Sequence, residues 1–292
     1  MDVLYAGCDF SSSPSRRKPI VFATGRLQRG QVHLAQLESI DSLDGFSDWL
    51  AQDRAWIGAF DFPFGLPREL VTTLGWPQEW RACMQHYAGL SRPEIRATFA
   101  AFCDARPVGG KFAHRSTDLP AGSSSSMKWV NPPVAYMLHA GLPRLLAAGV
   151  HTPALGDPFS APTGAAPTRI ALEGYPGLLA RELLMLSEPS ADRGGRVRSY
   201  KNDAKALQTP ERLIARKDML TGLENGQSRL GLRLKLTHAQ RDRLVDDATG
   251  DSLDAVLCLM QAAWAGQQHS AGHPRYGLPE GVDPLEGWII TS

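Results

Sequence analysis

The sequence predicts an α/β protein built on a mixed five-stranded sheet flanked by helices. Three observations predict it. Short apolar runs rich in β-forming residues crowd the chain before residue 40. Two later runs, "AWIGAFD" and "TRIALEGYP", stand apart from these among segments of helical periodicity, as crossover strands do. The composition, 43% hydrophobic and 21% charged with a net charge of +1, is that of a globular chain, neither disordered nor membrane-embedded.

Taken in order, Val3 to Cys8 reads as a buried strand followed by a Ser/Pro turn. "KPIVFATGRL" is a second strand and "QRG" a turn. "QVHLAQLE" alternates like a half-buried third strand, completing an antiparallel meander. "SLDGFSDWLAQ" is a helix, with Ser42 at its N-cap and Leu43, Phe46 and Leu50 at helical spacing. "AWIGAFD" is fully apolar, the mark of a parallel strand covered on both faces.

Residues 66–166 read as a helical and loop insertion. Pro67 and Pro77 mark helix starts, and "PQEWRACMQHYAGL", "RPEIRATFAAFCDA" and "VAYMLHAGLPRLLAAG" are helical. A long Gly/Ser/Pro loop over 104–135 separates the last two. Its length suits either a functional loop or disorder, and its four-serine run favours flexibility. After the "TRIALEGYP" strand comes a helix starting at Pro176. A second insertion over 188–250 holds a basic loop and two helices. "DSLDAVLCLMQAAWAG" is the last helix, and "PLEGWIIT" suits a short edge strand. This order matches a ribonuclease-H-like sheet in a single domain, 1–292, that carries both insertions.

Acids fall at the ends of these elements. Asp9 ends the first strand, Asp61 the fourth and Glu173 the fifth; Asp251 and Asp254 open the last helix, one turn apart on one face. Ligands of open α/β sheets gather at the carboxyl ends of strands. Five carboxylates on one rim would repel one another unless cations offset them. Hard oxygen donors favour Mg²⁺ or Mn²⁺. Two such ions about 3.5–4 Å apart suit in-line phosphoryl displacement. Each acid also has an ordinary use. Asp9 could start a turn, and Asp61 a turn or a helix. Asp251 could cap the last helix and Asp254 favour its dipole. Glu173 could take free amides at the next helix.

Several segments together, "GCDFSS", "FDFPFGLP", "ALEGYP", "GDSLDAVLCLMQAAWAG" and "LEGWII", resemble the family catalogued as domain of unknown function 429, described as predicted ribonuclease-H-like nucleases. The resemblance is scattered over nearly the whole chain, and "DSLDAV" and "EGWI" are its most specific pieces. The "D-x-x-D-A" opening is also similar to the last acidic helix of Holliday-junction resolvases. The resemblance implies that Asp9 is the central metal ligand bridging two ions. It makes Asp61 the fourth-strand carboxylate, Asp254 with Asp251 the last-helix acids, and Glu173 the counterpart of a family glutamate. The serine-rich insertion departs from any resolvase pattern.

A nucleic-acid substrate needs cations for its phosphates. Candidates are Arg16, Arg17 and Lys18 after the first acid; Lys111, His114 and Arg115 in "GGKFAHR"; and Arg193, Arg196, Arg198 and Lys201 in "RGGRVRSYK". Any one of these runs could equally be a solvated face. Aromatic stacking platforms are not evident. His269 and His273 have ligand-like spacing, but in a Gly-containing loop they make a poor zinc site. No P-loop and no nucleophile-elbow motif occurs. The expected activity is metal-dependent hydrolysis of phosphodiesters in DNA or RNA.

Two alternatives remain. One is a nucleotide-dependent phosphotransferase of the actin-like kinase superfold, against which the glycine-free "DFSSSPSRRKP" counts. The other is a non-catalytic binding module of the same fold. The apolar runs are too short to span a bilayer, and the N-terminus lacks the basic region of a signal peptide. The four cysteines form no CxxC pair. Reduced thiols in a cytoplasmic protein are therefore expected.

Overall fold

A computed structural model of the chain describes residues 3–155, 168–187 and 198–292. Its centre is a mixed sheet of six strands, one more than the sequence predicts. These are β1 (Leu4–Asp9), β2 (Ile20–Gln28), β3 (Gln31–Ile40), β4 (Trp56–Phe60), β5 (Arg169–Glu173) and β6 (Arg233–Lys235), in spatial order β5-β4-β1-β2-β3-β6. The first three form the expected antiparallel meander; β4 and β5 add in parallel beside β1, and β6 in parallel beside β3. The extra strand lies in the second insertion. Its three residues, Arg-Leu-Lys, carry one apolar side chain, too little for a periodicity to register.

One face of the sheet is covered by α1 (Leu43–Ala51), whose start is capped by Ser42 accepting from the Gly45 amide at 3.0 Å. Trp49 of this helix stacks on Phe22, ring centroids 3.8 Å apart, and Phe46 meets Phe60 edge-on. The first insertion supplies α2 (Arg68–Thr73), α3 (Trp80–Ala88), α4 (Arg92–Asp104), the single turn α5 (Asp118–Ala121) and α6 (Val134–Ala147), which packs on α1 and α3. On the opposite face lie α7 (Pro176–Ser187), α8 (Pro210–Asn225), α9 (His238–Asp246) and the long α10 (Asp251–Ser270). The tail contributes one parallel bridge, Ile289 to Glu173, in place of a full edge strand. His269 sits in the last turn of α10 and stacks on Tyr276 at 4.3 Å, outside the loop the sequence suggested.

Helix α10 is buried along most of its length and crosses β1, β2 and β4. Gly7 permits the approach, because a Cβ there would lie 2.0 Å from the Ala255 carbonyl oxygen and 2.1 Å from the Leu259 nitrogen. The serine-rich loop is ordered. Ser125 and Ser126 are buried, Ser125 Oγ donates to the Ala113 carbonyl, and the Ala135 amide donates to the Lys128 carbonyl at 2.8 Å. All four cysteines are buried and unpaired. Among the described residues no helix is long and apolar enough to cross a membrane.

Candidate functional site

The register of β1 and β4 sets the site. Cys8 pairs with Phe60, so Asp9 and Asp61 follow side by side at the carboxyl ends of adjacent parallel strands, about 4.8 Å apart across the ladder. The Asp61 amide donates to the Cys8 carbonyl at 2.9 Å, which holds the two chain ends together. Asp9 shares its face with Gly7 and therefore points towards α10. The first turn of that helix brings Asp254, fully buried, and Asp251 to the same end of the sheet.

Asp251 does not do the capping work considered for it, since Gly250 is the N-cap, whereas Asp254 lies in the first turn, where the helix dipole favours an acid. Asp247 does the capping: its carboxylate accepts from the Ser252 amide at 2.9 Å, the Thr249 amide at 3.2 Å and the Gly250 amide at 3.3 Å. Although burial opposes its charge, these bonds and the Thr249 hydroxyl hold its carboxyl below the usual range. Gly250 at the N-cap has φ +78, and a Cβ there would meet Lys201 side-chain carbons at 2.8–2.9 Å.

Electrostatics mark Asp9 and Asp61 as costly. Burial, then the Asp254 and Asp251 carboxylates, push the Asp9 carboxyl well above its usual range; Lys201 works the other way, and Asp61 adds to the rise. Asp61 is pushed up to about 7, by burial first and Asp254 next, against Lys201, with a contribution from Glu173. Among the described residues neither Asp9 nor Asp61 makes a side-chain hydrogen bond or an ion pair, and Lys201 acts on both through its field alone.

The helix acids are differently served. Lys201 pairs with Asp254, and Tyr200 donates its hydroxyl to the same carboxylate. Burial works against the Lys201 charge, yet Asp254, Tyr200 and Asp9 together hold its ammonium well above the ordinary value. Arg216 of α8 fixes this segment, donating to the Tyr200 carbonyl and the Val245 carbonyl, each at 2.7 Å. Lys18, from the turn after β1, reaches Asp251 at 2.8 Å and Asp203 at 3.1 Å. Asp251 is still raised, by burial working against the Lys18 bond.

Glu173 and Arg115 are engaged with each other. Glu173 pairs with Phe60 and so falls one level short of Asp61, with which it lines one cavity, and its side chain leaves the face of β5 opposite to that on which Asp9 leaves β1. Its carboxylate accepts two bonds from Arg115, at 2.6 and 2.8 Å, and one from the Phe64 amide at 3.0 Å. It is the buried counter-ion of Arg115, with burial raising its carboxyl against that arginine's pull. Arg115 is 2% exposed. All five of its N–H groups are used, on Glu173, Asp118 and the Glu286 carbonyl, so none remains for a phosphate.

The other proposed phosphate ligands are scattered. Arg16 and Arg17 are exposed, and Arg16 lies 3.7 Å from Asp41. Lys111 lies 3.8 Å from Asp104, and His114 is exposed. Arg193 and Arg196 lie outside the described residues. Arg198 bonds Ser187 at 3.0 Å and also pairs with Asp218. Among the described candidates, Lys201 and Lys18 stand among the acids, paired with Asp254 and Asp251.

Two cavities meet at Asp61 and Lys201. One, of about 310 Å³, is walled by Phe62, Val134, Met137, Tyr175 and Ile289, with Ser123 and Ser124 on its polar side. The other, of about 500 Å³, runs past Tyr200 and Asp254 to Arg181 and Arg198. These aromatic walls are not evident as a platform in the sequence. Phe62 next to Asp61 in "DFPF" was the available signal, and Tyr175 sits two residues after Glu173.

No family model, no curated protein and no solved structure matches the chain. The donor set therefore has to speak for itself. Its chemistry, buried carboxylates repelling one another, suits a hard divalent cation. Among the described residues, however, no three His, Cys, Asp or Glu side chains form a metal-holding group as they stand. Lys201 and Lys18 occupy Asp254 and Asp251, and a cation would have to take Asp254 from Lys201.

Proposed function

We propose that the chain is a divalent-metal-dependent phosphodiesterase acting on nucleic acid, with a ribonuclease-H-like arrangement of strands β1, β4 and β5 and helix α10. The observation that carries this reading is the pair Asp9 and Asp61: adjacent, buried or half-buried, and without a hydrogen-bond partner among the described residues. Such a pair is retained at a cost unless a ligand relieves it. Asp9, Asp61 and Asp254 would hold Mg²⁺ or Mn²⁺, with Asp251 at the edge of the set. When bound, the metal supplies charge neutralisation at phosphorus and a more acidic water.

The chain's own groups do the rest. Lys201, released from Asp254, is placed to meet a phosphate oxygen. Tyr200 keeps a hydrogen bond on Asp254 and so fixes its orientation. The basic cavity leading to Arg181 and Arg198 offers a path for a charged backbone.

The test is Mg²⁺- or Mn²⁺-dependent cleavage of single-stranded DNA, single-stranded RNA and branched duplexes, with Asp9→Asn and Asp61→Asn as controls. Cleavage is expected to require metal and to fall by about 10³-fold or more in either variant. Undiminished activity in both variants would remove the reading. A binding module of the same fold is the outcome if Mn²⁺ binds without cleavage of any substrate.

A further inference from the structure

The cavity beside Asp61 shares Asp61 and Lys201 with the groove that runs to Arg181 and Arg198, but adds an apolar wall of its own. Phe62, Val134, Met137, Tyr175 and Ile289 give it an apolar and aromatic wall, while Asp61, Arg115, Glu173 and Lys201 join Ser123 and Ser124 on its polar side. Its volume, about 310 Å³, is at the lower end of the roughly 300–1,000 Å³ typical of small-molecule sites. That space admits one planar ring system with part of a sugar.

The cavity is also built, not incidental. Its floor is fixed by the Arg115–Glu173 pair, and the Phe64 carbonyl beyond it accepts from Trp80 Nε1 at 2.8 Å. The loop carrying Ser123 is tied to Asp118, whose carboxylate accepts from the Ser123 hydroxyl at 3.0 Å. Tyr175 Oη donates to the Gly122 carbonyl at 3.3 Å, and its ring lies under the Arg181 guanidinium at 5.5 Å.

Resting on the phosphodiesterase reading, we propose that this cavity receives a single unstacked nucleobase. Its phosphate then lies at the mouth between Asp61 and Lys201, and the remaining backbone leaves along the basic cavity. An apolar slot with an aromatic wall gains affinity from any base by stacking and needs no sequence code. Because a base inside a duplex cannot enter such a slot without being extruded, the substrate class is single-stranded or frayed-end nucleic acid. The long 104–135 loop thereby acquires a role: together with α6 it builds the wall that makes the site selective for unpaired nucleotides.

The test separates the slot from the hydrolysis. Deoxyadenosine 5′-monophosphate and deoxyribose 5-phosphate are titrated calorimetrically onto the full chain with Mn²⁺ present. The nucleotide is expected to bind about tenfold or more tighter than the sugar phosphate, the base contributing the difference. Val134→Phe and Val134→Trp fill the slot from the first turn of α6 and are expected to erase that difference, whereas Val134→Ala keeps it. Two variants of graded size, and a ligand pair that needs no variant, keep the result readable if one protein fails to fold. Equal affinity for the two ligands, or a difference unchanged in both filled variants, overturns the slot whether or not the protein cleaves anything. A base-dependent difference without cleavage leaves the slot standing and removes the phosphodiesterase. Equal cleavage of duplex and single strand overturns the substrate class while leaving the hydrolytic reading intact.

Discussion

Gly7 and Ala255 are packed so closely that strand and helix nearly share a surface: a methyl group on Gly7 would lie 2.0 Å from the Ala255 carbonyl oxygen. Ala255 follows Asp254, and Gly7 lies two residues before Asp9 on the same face. The contact that seats α10 therefore also sets the separation between the strand acids and the helix acids. Gly7→Ala is expected to destabilise the fold by about 3 kcal/mol or more, because both obstacles are backbone and cannot rotate away. Urea unfolding monitored by tryptophan fluorescence measures it. A loss below about 1 kcal/mol would mean the helix can shift freely.

Asp61 should make the metal-free protein less stable as pH rises. Its folded value of about 7 lies above the unfolded carboxylate value. The folded state therefore binds more protons between the two, and stability falls with pH across that interval. Asp61→Asn removes this slope. Its stability relative to wild type is expected to grow from near pH 4 to pH 7 and then level off, reaching roughly 2–4 kcal/mol. Chemical denaturation across pH 4–8 in a chelator follows the difference. A gap independent of pH would show that Asp61 is not the group titrating.

Lys201 competes with any cation for Asp254. Lys201→Met is expected to lower the metal-free melting temperature, since it strips a buried carboxylate of its partner. The same variant should bind Mn²⁺ about tenfold more tightly, a difference of about 1.4 kcal/mol. Calorimetric titration reads the second effect. Weaker Mn²⁺ binding would place Lys201 as a support of the metal set instead of its competitor.

Glu173 separates a structural acid from a ligand. Glu173→Gln leaves the Arg115 guanidinium buried and under-compensated, so a loss of about 3–5 kcal/mol is expected. Mn²⁺ affinity should be unchanged in whatever fraction stays folded. Tightened or abolished metal binding at full stability would return Glu173 to the ligand set.

The strand ends were legible because a fully apolar run that stops at an acid constrains both the element and the position of the acid. Asp9, Asp61 and Glu173 were placed this way, and Asp251 and Asp254 by their spacing. The face on which Glu173 lands was not legible, because a shift of one residue in register reverses the side chain, and register comes from pairing across the sheet. Arg115 resembled a solvated cation in "KFAHR". Asp118 three residues on was the local hint of a partner, whereas Glu173 and Glu286 reach it only in the folded chain. The slot was invisible for a related reason: Phe62, Met137 and Tyr175 come from three separate segments.

Arg115 meets its last partner, the Glu286 carbonyl, 171 residues later in the chain. At a synthesis rate of roughly 5–20 residues per second, that partner leaves the ribosome roughly 10–30 seconds after the arginine. Until then a guanidinium destined for the interior has to stay hydrated and the cavity floor cannot close. Completion of this buried cluster is thus tied to the emergence of the segment around Glu286, long after the arginine itself has been made.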